Sequence, residues 1–92
     1  VEEQAARLLV YRAACNKDLG QRNTIEVSCA KYYAAEVAVK AANTAVKIFG
    51  SYGFSTEYPV ERFYRDAKSY QIVEGTSNIQ KMIIARNALG LK

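Results

Sequence analysis

Between Gly20 and Gly50 the sequence contains neither glycine nor proline, so nothing interrupts a helix that starts near Asn23 or Thr24. About 26 residues at 1.5 Å each make a rod of roughly 39 Å. Asn23 is placed to cap the free amides of the first turn, with Glu26 three residues later as a capping-box partner. Ala30, Ala34, Val37, Ala41, Ala45 (or Thr44) and Ile48 trace a near-heptad stripe. Ala35, Ala38 and Ala42 place small residues on neighbouring faces, which lets other helices approach on more than one side.

The flanking segments are also helical in pattern. Val1, Ala5, Leu8, Cys15 and Leu19 share a stripe, widened by Leu9, and predict a helix from about Val1 to Leu19 that Gly20 ends. After the long helix comes a loop, Gly50 to Tyr58, with two glycines three apart. Pro59 suits the first position of a short helix running to about Lys68, and Ser69 to Glu74 reads as irregular or loosely helical. A last helix begins at Thr76 or Ser77, with Ile79, Met82, Ile83, Arg86 and Leu89 at helical spacing, and closes at Gly90. The fold class is therefore all-α: part of an up-down four-helix bundle, with three main helices and one short one. Helices of such unequal length leave faces of the long one bare. The chain reads as part of a larger bundle, or as a protomer completed by association.

Composition removes several function classes. No apolar run reaches the ~20 residues of a membrane span. The sequence contains no histidine, so the commonest general base and metal ligand is missing. Cys15 and Cys29 form neither a zinc spacing nor a disulfide framework, and read as partly buried reduced thiols. The net charge is +4, but the basic residues are interleaved with acids, and only Arg62, Arg65 and Lys68 cluster. A nucleic-acid binder requires a denser one-sided stripe. Gly50 to Gly53 does not continue into a phosphate-binding Gly-Lys-Ser/Thr ending.

The remaining chemical group of interest is Glu74, between Ile72-Val73 and Gly75 and just before a helix start. Apolar neighbours can desolvate a carboxylate and raise its pKa toward that of a useful base. The N–H groups of Thr76, Ser77 and Asn78 open the helix and suit oxygen acceptors on a ligand. On local sequence alone, a solvated residue or a plain charge at a helix N-terminus is the favoured reading.

Three spaced blocks carry a family resemblance. Lys47-Ile48-Phe49-Gly50-Ser51-Tyr52-Gly53-Phe54-Ser55-Thr56-Glu57-Tyr58-Pro59-Val60-Glu61-Arg62-Phe63-Tyr64-Arg65-Asp66-Ala67-Lys68 resembles the second signature of the acyl-CoA dehydrogenases. Gln71-Ile72-Val73-Glu74-Gly75-Thr76-Ser77-Asn78-Ile79-Gln80 resembles their active-site segment, and Ile83-Ile84-Ala85-Arg86 is also similar to the family. The likeness runs through the whole chain and is strongest from Gly50 to Arg86.

The resemblance implies a flavin-dependent oxidoreductase that introduces an α,β double bond into an acyl-CoA thioester. It makes Glu74 the α-proton acceptor, with its backbone N–H donating to the thioester oxygen as in an oxyanion hole. Val73, Glu74 and Gly75 would meet the substrate. Thr76, Ser77 and Asn78 match positions that meet the adenosine and phosphate part of FAD. Lys47, Gly50, Ser51 and Gly53 match a loop that reaches the flavin of a neighbouring subunit, which implies a homo-oligomer, commonly a tetramer. An electron-transferring flavoprotein is the implied electron acceptor, and the compartment is the bacterial cytoplasm or the mitochondrial matrix.

Departures from the pattern are Lys47, where Gln, Asp or Glu is usual; Ser51, where glycine is frequent; and Val73, where some relatives carry Tyr. Relatives also possess an N-terminal helical domain, a middle β domain and a first bundle helix. The 92 residues therefore match the closing part of a C-terminal helical domain. Two other readings are a non-enzymatic helical module that self-associates, and a family member whose catalytic base lies upstream.

Overall fold

The computed structural model describes residues 1–91 and contains four α-helices and one 3-10 turn, with no strand among those residues. Helix α1 spans Glu2–Asp18, α2 Thr24–Phe49, α3 Val60–Ser69 and α4 Ser77–Ala88; Gly50–Phe54 forms the 3-10 turn. Helix α2 is the hub: α1, α3, α4 and the 3-10 turn each pack on it. Helices α1, α3 and α4 do not pack on one another among the described residues. The result is elongated, 48 × 24 × 20 Å, with a radius of gyration of 15.6 Å. A compact chain of this length would have about 12 Å.

The core is made of small side chains. Ala6 and Ala13 of α1, Ala30, Ala35 and Ala42 of α2, and Val60 and Ala67 of α3 are its buried apolar residues, joined by Ser28 and Gln80. Ser28, Ala35 and Ala42 are spaced by sevens, so α2 does carry a heptad line. It lies one residue round from the expected stripe, of which only Ala30 is buried while Ala41 and Ile48 are exposed. The same inversion occurs on α1 and its two caps, where Val1, Leu8, Cys15 and Leu19 are exposed while Ala6 and Ala13 are buried. Small residues let helix axes approach closely, so the alanine line forms the contact. No large side chain is fully buried, and Ile48, Leu8, Met82 and Leu89 stand open.

The expected caps also change. The Asn23 amide makes no bond to its own helix; its Nδ2 donates instead to the Ala13 carbonyl at 3.1 Å and ties α2 back to α1. Glu26 lies 3.6 Å from Arg12 rather than closing a capping box. Pro59 stands just before α3 as its N-cap. Cys15 and Cys29 are both free thiols, Cys15 exposed rather than partly buried. No helix among the described residues is long and apolar enough to cross a membrane.

The start of α1 is held to α2 by Lys40 Nζ donating to Glu2 Oε1 at 2.6 Å. That hydrogen bond, and then the Glu2 charge, raise the Lys40 pKa above its ordinary 10.5. A folded pKa above the unfolded one stabilises fully below 10.5, and the effect fades as pH rises through the raised value. Urea midpoints of the wild type and Lys40→Met should therefore differ slightly at pH 8 and converge at strongly alkaline pH. A gap that persists there contradicts the pairing. For the inverted core, Ala35→Leu should cost about 1–3 kcal/mol by overpacking. Ile48→Ser should stay within about 0.5 kcal/mol in urea unfolding of the 92-residue chain.

Candidate functional site

The segment between α3 and α4 is a short loop whose two ends are joined. As α3 runs out, the amides of Ile72 and Val73 both donate to the Ser69 carbonyl at 2.9 Å. Glu74 then takes φ 57° and Gly75 φ 96°, so two successive left-handed residues reverse the chain. Thr76 returns to extended geometry as the N-cap of α4, its Oγ1 accepting from Ile79 N at 3.2 Å. The Ser77 amide donates back to the Gln71 carbonyl at 3.0 Å and closes the loop at its base.

Among the described residues, Glu74 is the one non-glycine residue with positive φ. A left-handed conformation costs an L-residue roughly 1–2 kcal/mol, so the surrounding ties must hold it there. Glycine at position 75 suits both the backbone and the space around it. Its φ is unfavourable for a side chain, and an added Cβ would stand 2.5 Å from Nε2 of the buried Gln80. Glu74 itself is exposed, as are Ile72 and Val73, so the expected desolvation does not arise from the chain's own side chains.

Of the three amides expected to be free at the start of α4, Ser77 N–H is consumed by Gln71. Those of Thr76 and Asn78 carry no hydrogen bond among the described residues. They border a cleft of about 350 Å³ lined by Glu36, Lys68, Thr76, Ser77, Asn78 and Lys81, among others. The donor set, two cationic ends beside a helix N-terminus, suits anionic and hydroxyl oxygens.

Glu36, which sequence reasoning passed over, organises this cleft from α2. Its Oε1 accepts from Gln71 Nε2 at 2.9 Å and from Ser77 Oγ at 3.3 Å. Lys68 Nζ donates to Gln71 Oε1 at 2.9 Å, and Lys31 Nζ donates to the Tyr70 carbonyl. A lone carboxylate inside the alanine-rich run was the available signal for Glu36.

The second group of expected residues lies elsewhere. Lys47, in the last turn of α2, and Gly53 line a separate cavity of about 550 Å³ together with Tyr64 and Arg65. Gly53 is buried against α2, where a Cβ would meet the Val46 carbonyl oxygen at 2.6 Å. It is a close-approach glycine as well as a turn residue. Gly50, with φ 61°, and Ser51 are exposed. Tyr58 stacks at a tilt on Phe49 and edge-on with Tyr52, fixing the course of this loop.

Comparison with known proteins extends over the whole length. The family described as acyl-CoA dehydrogenase, C-terminal domain, matches residues 1–89. Glutaryl-CoA dehydrogenase of Desulfococcus multivorans is 57% identical over 93 residues, covering 100% of this chain and 24% of that protein. A solved glutaryl-coenzyme A dehydrogenase in complex with glutaryl-CoA superposes with a TM-score of 0.94 at 57% identity, covering 100% of this chain and 24% of the other. Butyryl-CoA dehydrogenase of Megasphaera elsdenii gives a TM-score of 0.91 at 49% identity, over 94% of this chain and 22% of that one. The chain thus spans about a quarter of the length of these relatives.

The loop geometry sets a stability test on Glu74. Glu74→Gly relieves the left-handed backbone and should raise stability by up to about 1 kcal/mol, whereas Glu74→Val should lower it by about 1 kcal/mol. Thermal unfolding of the two variants in parallel reads the difference, and equal midpoints would contradict the geometry.

Proposed function

The chain belongs to the acyl-CoA dehydrogenase family, matching its C-terminal domain, and from that premise we propose that it is the closing section of a longer flavin enzyme in which Glu74 is the catalytic base. In that enzyme Glu74 takes the proton from the carbon α to an acyl-CoA thioester carbonyl. Its backbone N–H donates to the thioester oxygen and stabilises the enolate charge that develops there. A bound flavin supplies the acceptor for the β hydrogen, which leaves as hydride. Val73 and Gly75 flank the substrate on either side of the base.

The observation that carries this reading is the backbone at Glu74. A strained, exposed carboxylate at the apex of a loop closed at its base has no structural bond of its own among the described residues to justify it. Strain retained in this way is a property of functional positions. Its exposure in this chain leaves desolvation to the incoming substrate and to the rest of the enzyme, which would expel water around the carboxylate.

The cleft at the start of α4 fits the cofactor's chemistry. The free amides of Thr76 and Asn78 and the Lys81 ammonium would hold phosphate and hydroxyl oxygens of FAD. Lys47, Gly50, Ser51 and Gly53 would serve a second flavin. Lys47 and Gly53 line a different cavity from Thr76 to Asn78, which supports the reading that each chain contributes to two flavins across a subunit boundary, in a tetramer. Lys47 would bring a cation to a phosphate there. An electron-transferring flavoprotein is the acceptor that this chemistry calls for.

In the full-length enzyme, Glu74→Gln should lower acyl-CoA dehydrogenation by at least about 100-fold with flavin content unchanged. Steady-state turnover with a dye acceptor measures it. Retained turnover would move the base to another helix and remove Glu74 from the mechanism.

A further inference from the structure

A base at the tip of a loop is only as well placed as the loop's two feet. In this chain both feet are fastened to one carboxylate. Gln71, at the entrance of the loop, and Ser77, at its exit, donate to the same oxygen of Glu36, at 2.9 Å and 3.3 Å. Glu74 lies midway between them, three residues from each. Glu36 stands in the middle of α2, the helix on which α3 and α4 both pack. The pinning is continued by Lys68, the penultimate residue of α3, which holds the other end of the Gln71 amide at 2.9 Å. Glu74 has no side-chain hydrogen bond of its own among the described residues, and its left-handed backbone needs an outside constraint.

We propose that Glu36 is the positioning residue for Glu74: it clamps the entrance and exit of the base-bearing loop to α2 and so aims the carboxylate. The proposal rests on Glu74 being the base. Hydrogen bonds to an ionised acceptor are the stronger kind, and two on one oxygen fix the separation of the feet. Without them the loop loses its tie to the hub helix, and its backbone closure from Ser77 to Gln71 opens more often. A displacement of about 1 Å at a reacting group is worth about 100-fold in rate.

The test uses the full-length, flavin-loaded enzyme. Glu36→Ala should lower kcat by about 10–100-fold with KM changed less than about threefold and flavin per subunit unchanged. Hydrogen exchange at the Ser77 amide should speed up. Glu36→Gln, which keeps an acceptor oxygen at the same reach, should recover most of the rate. Gln71→Ala should cost about tenfold, and adding it to Glu36→Ala should cost little more, because Glu36→Ala has already removed the Gln71 tie.

A folded, flavin-replete Glu36→Ala enzyme with wild-type kcat overturns the proposal, as does a rate loss fully accounted for by lost flavin. If Glu36→Ala does not fold, Gln71→Ala decides alone, and wild-type kcat in that variant overturns the proposal. Glu74→Gln, run alongside, separates the two levels. If it remains active, the base assignment fails. If it is inactive while Glu36→Ala is fully active, only the positioning role fails.

Discussion

Close packing along the alanine line of α2 is the constraint from which the rest of the structure follows. Ala35 and Ala42, with Ser28, form a surface without bulk, and α1, α3 and α4 all pack on the helix that carries it. Gly53 extends the same logic beyond the end of the helix, where any side chain would strike the Val46 carbonyl. A contact built from small residues buries little apolar area per residue, so its value lies in geometry rather than in strength. It brings the polar atoms of α2 within reach of neighbouring loops. Glu36 can reach both Gln71 and Ser77 because its helix lies this close to the segment joining α3 and α4.

The site inherits this arrangement. Glu74 and Gly75 are both left-handed, and the bonds from Ile72, Val73 and Ser77 hold the loop on either side of them. The helix that follows opens with two amides that are unpaired among the described residues, beside a cleft that Lys81 lines. The Glu74 carboxylate and the start of α4 are thus adjacent in sequence and fixed to one scaffold. Large side chains such as Leu8, Ile48 and Met82 stay exposed among the described residues, and this accords with relatives about four times its length.

Much of the helical layout was legible in the sequence, because glycine and proline mark its breaks at Gly20, Gly50, Pro59 and Gly90. Which face of α2 is buried was not. A hydrophobicity pattern favours the larger apolar residues, Val37 and Ile48, whereas the packing selects the smaller ones one position round. Asn23 was legible as a polar residue with a bond to make, but its partner, the Ala13 carbonyl, belongs to another helix. Glu74 and the residues after it stood out through family likeness, while Glu36 did not. Its importance depends on Gln71 and Ser77, 35 and 41 residues away, and no local pattern encodes such a meeting.

The central claim is that Glu74 moves a proton, and isotope exchange reads that step apart from electron transfer. The full-length, flavin-loaded enzyme is incubated anaerobically in D2O with a saturated acyl-CoA, and deuterium at the α carbon is followed by mass spectrometry. The account predicts enzyme-dependent incorporation at the α position that disappears in Glu74→Gln while substrate still binds. Incorporation at the wild-type rate in Glu74→Gln would contradict it.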